Sequence, residues 1–207
     1  MATPKSPFFI LQNFISPLLC EQLVDECAFD FPDVNVDDKP IKMIRSSEKN
    51  QQILYDRIDP IMFTIEKYYN IEYYGMENMS FEWLTTGVEP NLHCENSQYL
   101  RKKWVRTINR DFTGVLFLSS YQEKTPFDND YEVYGGKLEF PQHHFGFNPE
   151  MGTLIFFPSC PHFINQYSDI LAGDLYVTKI HFACKRPFLY NPEDFPGDYT
   201  NWFNSIS

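Results

Sequence analysis

Two imidazoles and one carboxylate stand out by type and spacing. His93 and Glu95 lie two apart in the run PNLHCENS (90–97), and His162 lies in the run FFPSCPHF (156–163). Side chains at i and i+2 of an extended strand point to one face. One strand can therefore bring His93 and Glu95 to a single point, and His162, far downstream, would add a second imidazole. Two His and one carboxylate leave coordination positions open and suit non-haem Fe(II). The same three side chains also suit a hydrolytic zinc ion.

The elements that must hold these residues are legible in outline. Residues 7–15 read as a strand, after which Ser16 offers an N-cap and Pro17 the first position of a helix through 18–27. The acidic, Pro-containing stretch 29–39 reads as loop. A second helix is predicted over roughly 47–69, with Leu54, Ile58, Ile61 and Ile65 at helical spacing and a break or kink at Pro60. Beyond Tyr69 the pattern turns to short strands at 79–84, 91–95, 112–118, 137–140, 153–157 and 175–182, separated by Gly, Asn and Asp turn signals. The expected class is mainly β with flanking N-terminal helices, in a sandwich or barrel. One domain spans 1–207: strand and helices to residue 70, a β core over 71–185, and a tail from 186.

Charge and cysteine usage exclude several roles. With 17 basic and 28 acidic residues the net charge is −11, which repels phosphate backbones and anionic membranes, so neither nucleic acid nor membrane is an expected partner. Arg101, Lys102, Lys103, Arg106 and Arg110 form a local basic exception, readable as a solvated loop or as a flap over the site suited to a carboxylate ligand. The five cysteines show no CxxC pairing, so a reducing, cytoplasmic compartment is expected.

In this order the pieces resemble the prolyl-4-hydroxylase-type branch of the Fe(II)/2-oxoglutarate-dependent dioxygenases, over roughly residues 80–184. They are PNLHCE (90–95), the Arg-then-Thr strand RDFTGVLFL (110–118), the turn and strand GGKLEF (135–140), PEMGTLIFFPS (149–159) and the distal His162. The sequence also resembles hydroxylase-like proteins encoded by tailed phages. The resemblance implies a double-stranded β-helix, or jelly roll, in which His93, Glu95 and His162 hold Fe(II). It further implies 2-oxoglutarate and dioxygen as cosubstrates and hydroxylation of a C–H bond, family-typically of a prolyl residue in a peptide or protein.

Two departures accompany it. The family's usual acid is Asp, and here it is Glu95, one methylene longer. The family's carboxylate clamp, an Arg or Lys two residues past a glycine, falls at Leu175, after Gly173. Lys179 shares a strand face with Leu175, Val177 and His181 and is the expected substitute clamp, with Arg106 and Arg110 in reserve. The alternatives are a catalytically silent jelly roll serving as a binding or structural module, for example in a virus, and a metal-dependent hydrolase. Adjacent His143 and His144 point to opposite faces of any strand and are read as loop or surface residues. His181 is read as a core histidine, and Cys94 as facing away from the metal.

Overall fold

The computed structural model describes residues 5–29, 41–45, 47–87, 89–123 and 125–195. In chain order the elements are β1 (Phe9–Leu11), α1 (Pro17–Phe29), β2 (Ile41–Arg45), α2 (Glu48–Tyr69), β3 (Tyr73–Met76), β4 (Ser80–Leu84), β5 (Ser97–Leu100) and β6 (Lys103–Arg106). There follow β7 (Phe112–Phe117), β8 (Ser120–Tyr121), β9 (Glu132–Gly135), β10 (Leu138–Phe140), β11 (Phe145–Phe147) and β12 (Leu154–Pro158). Last come β13 (Gln166–Tyr167), β14 (Ile170–Gly173) and β15 (Leu175–Cys184).

Local chemistry sets the helix ends. Ser16 Oγ accepts from the Leu19 amide at 3.3 Å, and Pro17 begins α1. Ser47 Oγ caps α2 through the Asn50 amide at 3.2 Å, and Asn70, left-handed at φ 55°, closes it. The break expected at Pro60 does not occur, and α2 runs unbroken through it. Pro60 and Asp56 both lie on the exposed face, so water can take the backbone carbonyl that the proline leaves unpaired.

The main sheet has seven strands in the order β1-β12-β7-β15-β4-β2, with β3 also on β15, and every pairing is antiparallel. Its central strands β7, β12 and β15 are buried on both faces, which explains their near-continuous apolar runs. One face, with Phe112, Leu116, Phe156, Ile180 and Phe182, packs on Leu23, Leu54, Ile58 and Ile65 of the helices. The other, with Val115, Phe117, Ile155, Phe157 and Val177, meets Val133, Leu138, Phe140 and Phe147 of the two smaller sheets, β14-β9-β8 and β11-β10-β13. Two sheet layers facing across an apolar core, with helices outside, make the expected jelly roll. Gly135 and Gly136, at φ 96° and 66°, turn the chain between β9 and β10, and a Cβ on Gly135 would strike the Asp169 carbonyl.

Three expectations change. The strand over 7–15 shrinks to β1, although Phe14 still docks on the Gly152 carbonyl at 2.8 Å. The strand over 91–95 reduces to a single antiparallel bridge between His93 and Asn165. The basic segment forms the hairpin β5–β6, whose turn residues Arg101 and Lys102 both have positive φ, the habit of a type I′ turn. Residues 30–39 of the predicted loop and 196–207 of the tail lie outside the described residues. None of the five cysteines is in a disulfide. Among the described residues no helix is long and apolar enough to cross a membrane.

Candidate active site

The inner face of β15 builds the floor of the site. Leu175 and Val177 continue the apolar core, and Lys179 and His181 then open a cavity of about 370 Å3. On β4, register pairs Ser80 with Lys179 and Glu82 with Val177, so Glu82 lies diagonal to Lys179 on the same face. The Lys179 ammonium stands 3.4 Å from Glu82 Oε1 and 3.3 Å from Glu95 Oε1. Only 7% of Lys179 is exposed, so these two carboxylates offset a desolvation that would otherwise expel the charge.

His93 enters from the bridge to Asn165, held by paired backbone hydrogen bonds of 3.0 and 2.9 Å. Its Nδ1 is 2.9 Å from the Asn91 carbonyl, which can only accept, so Nδ1 carries a hydrogen. The opposite nitrogen, Nε2, lies 3.0 Å from Glu95 Oε1 and 3.5 Å from Lys179 Nζ. Burial opposes ionisation of Glu95, but Lys179 and His93 outweigh it and hold the carboxyl well below its ordinary range. Burial likewise disfavours the Lys179 charge, yet Glu95 and Glu82 raise its pKa well above that of a free lysine. His181, with Nδ1 3.1 Å from Thr113 Oγ1, is pushed down to about 4, chiefly by burial, and stays neutral. The ring of Tyr167 lies 5.9 Å from the Lys179 ammonium.

The predicted site residues separate in this geometry. His93, Glu95 and Lys179 come together. His162 does not join them: it sits exposed on a 3-10 turn, its ring 5.3 Å from Tyr190 and its carbonyl accepting from His143 Nε2 at 2.8 Å. Arg106 is outside the cavity, bound to buried Asp111 at 3.0 Å, and Asp111 also takes the amides of Cys184 and Phe188. Arg110 alone of the five basic residues lines the cavity, and Glu77 holds it at 2.7 Å. Among the described residues the wall thus carries four carboxylates, Glu77, Glu82, Glu89 and Glu95, against two cations that are both already paired. Cys94 turns away, donating to the Ser159 carbonyl at 3.2 Å.

Glu82, Asn165 and Tyr167 are site residues that sequence reasoning passes over. The only signal for Glu82 is a carboxylate at an inward position of the alternating strand 80–84; Asn165 and Tyr167 carry none.

No protein-family model and no curated protein matches this sequence. Solved structures do. The viral collagen prolyl hydroxylase of Paramecium bursaria Chlorella virus-1, solved with 2-oxoglutarate, superposes with a TM-score of 0.66 at 14% identity, covering 87% of this chain and 97% of that one. The fold is that of the prolyl 4-hydroxylases. A Pseudomonas putida prolyl-4-hydroxylase gives a TM-score of 0.57 at 15% identity, over 87% of this chain and 94% of that one. A prolyl hydroxylase from Trichoplax adhaerens, bound to a peptide fragment of hypoxia inducible factor, gives 0.60 at 13%, over 92% and 86%. At such identities the likeness is one of fold.

The prolyl-4-hydroxylase fold implies iron, and the donors present do not complete a site for it. His93 Nε2 and Glu95 Oε1 are close enough to share an ion. Among the described residues, no three His, Cys, Asp or Glu side chains are grouped to do so. An ammonium, not a second imidazole, is the third group beside the pair.

Proposed function

We propose that this chain is an oxygenase of the prolyl-4-hydroxylase type, acting on a C–H bond of a residue in a peptide or protein, with prolyl as the first candidate. The observation that supports it most is the meeting of His93 and Glu95 at one cavity of that fold. Fe(II) and 2-oxoglutarate are the cofactor and cosubstrate of this reading. A peptide substrate is supported by the structural neighbours, one a collagen prolyl hydroxylase and another solved with a peptide. Cysteines without a CxxC pattern support a reducing, cytoplasmic setting, and the viral neighbour supports a viral or phage source. The reading requires that Lys179 leave the His93–Glu95 pair and that a further donor complete the metal site.

Anaerobic addition of Fe(II) and then 2-oxoglutarate tests it. A visible charge-transfer band, followed by succinate once oxygen and a prolyl peptide are supplied, is the expected result. Iron binding with no band, or a band with no succinate, would remove the reading.

A second reading has its own support: Lys179 bonded to the two would-be ligands, with His162 at the surface, suits a metal-free binding module on the same fold. That reading expects peptide binding that neither Fe(II) nor 2-oxoglutarate alters.

A further inference from the structure

We propose that Lys179 is a built-in competitor for the metal: its ammonium and a divalent ion claim the same two donor atoms. The proposal takes from the reading above only the naming of His93 and Glu95 as donors. His93 Nε2, Glu95 Oε1 and Lys179 Nζ form a near-equilateral triangle with sides of 3.0, 3.3 and 3.5 Å. A metal bonded to both donors at about 2.1 Å on the Lys179 side would lie within about 2 Å of the ammonium. Neither van der Waals contact nor charge permits that approach, so ion and ammonium exclude each other there.

Lys179 is also not readily displaced. It sits mid-way along β15, whose backbone is laddered to β4 on one side and to β7 on the other, so only the side chain can move. Moving it strips Glu82 and Glu95 of their shared countercharge in a buried setting. Among the described residues no third His, Cys, Asp or Glu joins His93 and Glu95 in a group that could hold a metal. The residue directly opposite His93 in the bridge, and hence on its face, is Asn165, whose side-chain amide donates to the Phe163 carbonyl at 3.2 Å. The site therefore carries its own cation, and metal affinity is set by the cost of moving it.

The test is titration of the full-length chain with Co(II), followed by calorimetry and visible absorption, for the wild type, Lys179→Met and Lys179→Met/Glu82→Gln. The double variant removes one of the two carboxylates that the single variant leaves unpaired, and so guards against loss of folding. Folded variants are expected to bind one equivalent of Co(II) at least tenfold more tightly than the wild type, and to lose it when His93→Ala is added. A folded variant that binds no more tightly than the wild type overturns the proposal. The oxygenase reading fails separately: a wild-type chain that forms no Fe(II)–2-oxoglutarate band at saturating Fe(II) removes that reading, while tighter Co(II) binding by the variants leaves the competition by Lys179 standing.

Discussion

The corner at His93 and the corner at His162 offer the same side chain in very different settings. His93 faces a buried charge network of Glu95, Lys179 and Glu82, whereas His162 lies exposed against Tyr190. Three residues decide the difference. The backbone ladder pairs His93 with Asn165, and His162 falls on the 3-10 turn that leads into that bridge. Residue type nominates a ligand, but sheet register decides which side chain arrives. The charge at the third corner comes from Lys179 on β15, whose inward aim the strand alternation announces.

The sharpest way to break this contrast is to remove the charge at the buried corner. Lys179→Met leaves Glu82 and Glu95 buried without a countercharge and should lower stability by about 3–5 kcal/mol in denaturant unfolding. A loss below about 1 kcal/mol, the level of exposed ion pairs, would mean that the network is solvated and the contrast is one of position only.

Acid should act next, through the same corner. Burial lowers His181 from 6.5 to about 4, so between those values the unfolded chain binds a proton that the folded chain refuses. Stability should fall as pH drops through that window, approaching about 1.4 kcal/mol per pH unit for one proton. Glu95, held below 4.5, has the same sign: its contribution is present above 4.5 and is lost as pH falls through its folded value. His181→Gln should flatten the upper part of the slope, from about pH 6.5 to 5. An unchanged slope in that variant would place the acid sensitivity elsewhere.

The smallest effect belongs to the exposed corner. His162→Ala should change stability by no more than about 0.5 kcal/mol, as surface substitutions do. A larger loss would show that its contact with Tyr190 anchors the segment after β15.

The same contrast explains what the sequence could disclose. Strands β7, β12 and β15 are legible because burial on both faces writes them as apolar runs, and the inward aim of Lys179 follows from its alternation with Leu175 and Val177. The partners of Lys179 are not legible: Glu82 joins it only through the long-range register of β4 on β15, which no local pattern encodes. Asn165 is hidden for the same reason. The hairpin β5–β6 is missed because its turn uses Arg101 and Lys102 where the habitual signal is Asn-Gly. At Pro60 the helix continues, as the exposure of Pro60 and Asp56 lets water take the orphaned carbonyl.

One measurement bears most directly on where the site lies: 2-oxoglutarate-dependent succinate formation in His93→Ala and His162→Ala, side by side with the wild type under Fe(II). The expected result is loss of turnover in His93→Ala and wild-type turnover in His162→Ala. Equal loss in both variants would contradict this account, because it would put His162 in the working site beside His93.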